Sequence, residues 1–399
     1  MLYVLLDNFR ERLADWNIYW MFRILDQLTF RALAAAAIAF FTVMVLGKPV
    51  IRWLRRKKIG DAGLADTALL QDVSKSKANV PTMGGILICG AIFGATTLLA
   101  DITNFYVVLG LIVLVWLAAL GSIDDWLKLT AASRPGGSRQ GLYAWEKLVF
   151  QLGLGALVGW FVFGKGNAPG VEHHLAHVLT LPFQSAYTRG PGGTLVPSEA
   201  LIYLPAAAFV ILAVLMIAGM SNAVNITDGM DGLAAGTTTI VSLGLVVLVY
   251  IAGKDTLAQF LLMPHVAGSD EVIVLASAIT GACLGFLWWN CSPAQVFMGD
   301  TGSLALGGLL GYIAVVIRQE ALLLLMSGVF LMEIASVVLQ VGYFKYTRKR
   351  TGVGQRLFKV APIHHHFHII GWTEQTVVAR FWIITSILVI AALALVKLR

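Results

Sequence analysis

Charge is what this sequence has little of. Only 13% of its 399 residues are Asp, Glu, Lys or Arg, where a soluble domain carries roughly a quarter, so a water-facing globular surface is excluded. Cysteine is scarce too: Cys89, Cys283 and Cys291 are scattered through apolar stretches, without the spacing of a disulfide framework or a zinc site. The low hydrophobicity of a disordered chain is absent, since 58% of residues are hydrophobic and the mean hydropathy is +0.79. The short alternating segments of an outer-membrane barrel are absent as well, replaced by long apolar runs. What remains is an all-α, polytopic integral membrane protein.

The net charge of +7 does not mark a nucleic-acid partner, because membrane proteins concentrate Lys and Arg in cytoplasmic loops for topological reasons. Asp7, Glu11 and Asp15 interrupt any signal-peptide pattern. The aromatic cluster Trp16, Tyr19, Trp20 and Phe22 instead suggests an interfacial segment, residues 1–30, before the first span.

A spanning helix needs about 20 mostly apolar residues. Candidate spans are 32–46, 83–100, 105–123, 148–163, 201–220, 233–252, 272–289, 304–317, 321–344 and 377–396, the eighth being short. About ten helices are expected by the length criterion, within a single transmembrane domain over 1–399. Lys and Arg residues cluster after the first span (Lys48 to Lys77), after the third (Lys128 to Lys147) and after the ninth (Lys345 to Lys359). The positive-inside rule makes that side cytoplasmic, with both termini and residues 164–199 outside.

Five polar, Gly-containing segments then share the cytoplasmic side: Lys77 to Gly85, Asp124 to Lys128, Ser221 to Gly232, Asn290 to Ser303, and Pro362 to Trp372. Asp124 and Asp125 close a helix whose macrodipole they oppose, so a cation should compensate them; Lys128 is one candidate. Asn222, Asn225, Asp228 and Asp231 crowd one glycine-rich turn, where a helix N-cap explains one Asp and not the set. Asp300, in Phe297-Met298-Gly299-Asp300-Thr301-Gly302-Ser303, reads as an N-cap, as a Mg²⁺ ligand beside a phosphate-binding helix end, or as both. His364, His365 and His366 do not match a zinc site, and suit donation to a diphosphate. Lys77, Thr82 and Gly84 form a basic, Gly-rich entry to the second span. Glu333, Gln340 and Arg380 lie in or beside spans, where polar groups need partners that the sequence does not identify. Together these features imply Mg²⁺-assisted phosphoryl transfer between a soluble anionic donor and a lipid.

The Asp124-Asp125 pair, the Asn222 to Gly232 run, the Phe297 to Ser303 run and Ala361-Pro362-Ile363-His364-His365-His366-Phe367 resemble the polyprenyl-phosphate N-acetylhexosamine-1-phosphate transferases. The triple histidine followed by Gly371-Trp372 is similar to the lipid I-forming branch of that family. The resemblance implies a ten-helix homodimer in the bacterial inner membrane with its active site on the cytoplasmic face. It implies UDP-N-acetylmuramoyl-pentapeptide as donor, undecaprenyl phosphate as acceptor, UMP as product and Mg²⁺ as cofactor. By motif, Asp300 corresponds to the metal ligand and Asp124 and Asp125 to the catalytic pair, with His364, His365 and His366 also catalytic. Lys77, Thr82, Lys128, Lys147, Asn222, Asn225, Asp228, Asp231, Asn290, Phe297 and Ser303 correspond to substrate-binding positions. Residues 131–140 are richer in Gly and Pro than the family's loop. The rivals are a sibling transferase with another sugar donor, and a secondary transporter, whose acids would sit near the bilayer midplane.

Overall fold

The computed structural model describes residues 1–57, 80–131, 141–166, 175–190 and 194–398. A surface helix, α1 (Leu2–Asp15), precedes the bundle. Its exposed Leu2, Leu5 and Phe9, followed by exposed Trp16, Trp20 and Phe22, form an apolar and aromatic strip. The bundle comprises α2 (Leu28–Arg56), α3 (Gly85–Leu99), α4 (Phe105–Thr130), α5 (Ala144–Gly166), α6 (Ala206–Thr227), α7 (Leu233–Ala252), α8 (Val272–Asn290) and α9 (Gly299–Val316). It continues through α10 (Glu320–Met326), α11 (Gly328–Thr351), α12 (Ile363–Ile369) and α13 (Glu374–Lys397).

Among the described residues nine of these helices are long and apolar enough to cross a membrane, and α3 is a shorter apolar helix. The ten expected hydrophobic stretches are therefore all helical, with three differences. The fifth begins at Ala206, because residues 202–203 pair as a strand. The eighth, α9, starts five residues earlier than hydropathy placed it, with the polar Gly299-Asp300-Thr301 forming its first turn. The ninth is divided at Ser327 into α10 and α11. At the far end of α5 from Lys147 lie two small antiparallel pairings, β1 (Val178–Leu179) with β4 (Ile202–Tyr203) and β2 (Tyr187–Arg189) with β3 (Leu195–Pro197).

The centre of the bundle is α9, in which every residue from Thr301 to Val316 is buried. Its sequence carries small residues where neighbours come close: a methyl at Gly307 or Gly311 would overlap the backbone carbonyls of Met220 and Met216 on α6. Such small faces let membrane helices approach backbone to backbone. The main apolar core runs through α2 to α11 and takes in Val389, Ala392 and Val396 of α13. A second, separate cluster is built from Met230, Leu233, Val329, Val377, Val378 and Phe381, with Ile363, Phe367 and Trp372 packed on it. The first turn of α9 and the Asn222 to Gly232 segment therefore lie where the two clusters meet.

Candidate active site

The C-terminal ends of α4 and α6, the first turns of α5 and α9, and the α6–α7 turn converge at one end of the bundle. Asp124 is fully buried. Its Oδ1 accepts a 2.7 Å hydrogen bond from the backbone N–H of Leu142, and its Oδ2 lies 2.7 Å from both the Lys147 and the Lys128 Nζ. Lys128 is the i+4 neighbour that helix geometry places beside it. The same ammonium groups reach Asp300, Lys147 at 2.6 Å and Lys128 at 3.2 Å from its Oδ2. The remaining oxygen of Asp300 accepts from Asn225 Nδ2 at 3.0 Å, and that nitrogen is also 2.9 Å from Ser303 Oγ. Two lysines thus bridge two carboxylates, the compensation expected for acids at the C-terminal end of a helix.

Asp125 has another task. Its Oδ1 accepts from the Asp300 N–H at 3.0 Å, and its Oδ2 accepts from the Thr301 N–H and hydroxyl at 2.9 and 2.7 Å. Asp228 Oδ2 accepts from the Gly299 N–H at 3.1 Å. The free donors at the start of α9 are therefore satisfied by carboxylates from two other helical segments, a cap made across the fold. Asp300 lies inside the first turn, so of the two sequence readings the N-cap is not the one adopted. Thr82 borders the same turn, since a methyl on Gly299 would meet its Oγ1 at 2.9 Å.

The local charge explains the titration of Asp228. Four carboxylates, Asp124, Asp125, Asp228 and Asp300, meet two lysines here among the described residues. Burial first, then the charges of Asp300 and Asp125, push Asp228 up to about 7. A divalent cation suits such an excess of negative oxygen ligands, and hard Mg²⁺ uses few carboxylates completed by water and phosphate. Among the described residues there is no group of three or more His, Cys, Asp or Glu side chains placed to hold a metal ion by themselves.

Asn222, Asp231, Asn290 and Phe297 organise backbone. Asn222 Nδ2 donates to Gln151 Oε1 at 2.7 Å, while Gln151 Nε2 donates to Ser221 Oγ at 3.0 Å. Asp231 Oδ2 accepts from the Ala294 N–H, and Asn290 joins the Gly232 N–H to the Val296 carbonyl. The Phe297 N–H donates to the Pro81 carbonyl and its carbonyl accepts from the Gly84 N–H, both at 2.8 Å. The histidines stand on a short helix, α12. His364 is fully buried against Glu333, its ring centroid 4.1 Å from that of His365. His366 Nδ1 accepts from the Lys359 N–H at 3.2 Å. Lys77 lies outside the described residues, as does most of the Gly- and Pro-rich stretch 131–140. Two residues that sequence reasoning passed over also matter: Gln151, a buried amide inside an apolar helix, and Glu374, whose Oε1 accepts from the Asp231 N–H at 2.8 Å. A lone polar residue inside a span was the available signal for Gln151.

Beside the cluster an apolar groove of about 730 Å³ follows one face of α4, from Val108 through Ile112, Val115 and Trp116 to Ile123, and is closed by residues of α3 and α5 and by Leu142. At 1.5 Å per residue that face is roughly 22 Å long. It ends at Ile123 and Leu142, the first preceding Asp124 and the second bonded to it.

Fold and site together describe a polytopic, all-α membrane protein with a lysine-bridged acidic centre at one end of its bundle. The glycosyl transferase family 4 model matches residues 105–318, and the chain belongs to that family. Its curated relatives include the phospho-N-acetylmuramoyl-pentapeptide-transferase of Chloroherpeton thalassium, 41% identical over 399 residues and the full length of both chains. That of Chlorobium chlorochromatii is 42% identical over 94% of this chain and 95% of its own. That of Salinibacter ruber is 39% identical over the full length of both.

Proposed function

We propose that this protein transfers phospho-N-acetylmuramoyl-pentapeptide from its UDP conjugate to undecaprenyl phosphate, forming lipid I and releasing UMP on the cytoplasmic face of the bacterial inner membrane. The observation that carries the reading is the pair of ammonium groups shared between Asp124 and Asp300, set at the end of an apolar groove. Full-length relatives bearing the name phospho-N-acetylmuramoyl-pentapeptide-transferase support the transferred group. The acids of this cluster lie at helix ends, where a transporter's coupling carboxylates would lie near the bilayer midplane, which speaks against the transporter alternative.

In this reading an isoprenoid chain lies in the groove and its phosphate meets Lys128 and Lys147. An oxygen of that phosphate attacks the sugar-linked phosphorus of the donor, and the bond to the other phosphorus breaks with UMP as leaving group. A phosphate monoester is largely dianionic near pH 7, so the attack asks little of a base. Both oxygens of Asp124 and both of Asp300 already carry hydrogen bonds or ion pairs, which favours direct transfer over a covalent phosphoaspartate. Mg²⁺ at Asp300 would supply charge neutralisation on the transferring phosphates. Lys128 and Lys147 orient the acidic pair and screen the approaching anions from it.

The test offers purified protein undecaprenyl phosphate, Mg²⁺ and either UDP-N-acetylmuramoyl-pentapeptide or UDP-N-acetylglucosamine, and identifies the lipid product by mass. Lipid I with UMP release is expected from the first donor alone. A phospho-N-acetylglucosamine lipid as main product would move the protein to the sibling activity.

A further inference from the structure

Glu333 sits well inside α11, and Oε2 of its fully buried carboxyl lies 3.0 Å from Nδ1 of the fully buried His364 on α12. A carboxyl group within a membrane-spanning helix is costly and persists where it is paired and used. Val329, one turn before Glu333 on α11, and Ile363, next to His364 on α12, both belong to the second apolar cluster or pack on it. Glu333 Oε1 and His364 Nε2 are both buried without a hydrogen-bond partner. Nε2 points at Gly229, where a methyl would overlap the imidazole. Gly229 sits in the turn between Asp228, which caps α9, and Asp231.

We infer that Glu333 is a positioning residue for His364, holding the imidazole by Nδ1 so that Nε2 meets an oxygen of the donor's diphosphate beside Gly229. The inference rests on the nucleotide donor proposed above and adds a recognition element to it. A carboxylate can only accept, so the ring keeps its proton on Nδ1, and which nitrogen faces the ligand is thereby decided. The same carboxylate compensates the charge when the ring takes a second proton, and Nε2–H then donates a charge-assisted hydrogen bond to a phosphoryl oxygen. Oriented in this way, the histidine carries a rotamer and a tautomer fixed by its outer partner, as carboxylate-bound imidazoles do elsewhere. With no side chain at position 229, the imidazole edge carrying Nε2 packs directly against the backbone of the turn between Asp228 and Asp231.

The experiment titrates detergent-solubilised full-length protein with UDP and, separately, with uridine, comparing wild type, Glu333→Gln, His364→Gln and the double variant. Glutamine keeps the shape of glutamate and removes its charge. UDP affinity is expected to fall about tenfold in each single variant, as for loss of one hydrogen bond to a charged group. The double variant should be no weaker than the singles, because the two residues act as one unit, and uridine affinity should not change. Nitrogen-15 spectra of histidine-labelled protein should show one imidazole with its Nδ1 proton on a carboxylate, a signal lost in Glu333→Gln. Wild-type UDP affinity in Glu333→Gln, or equal weakening of UDP and uridine, would overturn the positioning role; so would a wild-type ring unprotonated at Nδ1. Wild-type protein that binds neither UDP nor uridine would instead overturn the donor reading, with the Nδ1 signal still deciding the pair.

Discussion

Asp125 grips Thr301 twice: its Oδ2 accepts a hydrogen bond from the backbone N–H at 2.9 Å and another from the hydroxyl at 2.7 Å. The two adjacent acids of α4 therefore divide their work, Asp124 facing the lysines and Asp125 closing the start of α9. Asp125→Ala leaves those donors unsatisfied in a buried helix end, and a loss of about 1–3 kcal/mol in stability is expected. Thermal unfolding in detergent measures it, with Thr301→Val showing a smaller loss. An Asp125→Ala protein as stable as wild type but inactive would return Asp125 to the chemistry.

Asp124 accepts from Leu142 and both lysines, and in the proposed reaction it holds those lysines in place. Asp124→Asn should lower kcat about a hundredfold or more with the fold intact, on the scale of losing one electrostatic partner of a transition state. Raising the pH should not restore turnover. Recovery at pH 9 would identify a general base.

If Asp300 holds the cation with phosphate, Asp300→Asn should raise the Mg²⁺ concentration needed for half-maximal turnover as well as lowering the rate. Chelation of divalent ions should silence the wild type reversibly. An unchanged Mg²⁺ dependence in the variant would move the ligand to Asp228.

Asp228 carries a sign that can be checked. Its folded-state carboxyl is pushed up to about 7, well above the ordinary carboxylate range, by burial and by the charges of Asp300 and Asp125, so between about pH 4 and 7 the folded protein binds a proton that the unfolded chain has released. Stability from this group is fully present below about pH 4 and is lost as pH rises through 7. In Mg²⁺-free buffer, Asp228→Asn should lose less melting temperature between pH 5.5 and pH 8 than wild type does. Parallel curves for the two proteins would contradict the assignment.

A methyl at Gly229 would overlap His364 Nε2. Gly229→Ala should therefore weaken UDP binding by about the tenfold expected for loss of that hydrogen bond, and leave uridine binding unchanged.

Much of this was legible in the sequence because burial in a bilayer writes itself as hydropathy. All ten stretches are helices, and the acids and amides of three of the polar segments, Asp124 to Lys128, Ser221 to Gly232 and Asn290 to Ser303, meet at one end of the bundle. Lys128 as partner of Asp124 followed from helix periodicity alone. Lys147 as its second partner, 23 residues away, depended on a packing between α4 and α5 that no local pattern encodes. The same holds for Asp125, whose capping partner is 176 residues distant. Gln340 and Arg380, whose partners the sequence did not identify, settle on the Phe358 backbone and the Trp372 ring. The division at Ser327 escaped notice because hydropathy is continuous across it.

The two apolar clusters that meet at the site share helices: α7, α11 and α13 give Ala235, Phe330 and Val389 to the first and Leu233, Val329 and Phe381 to the second. Neighbouring positions do not act independently. A substitution that reshapes the α11 to α13 side therefore carries over into the packing around α9, and the two sides of the site answer to one another.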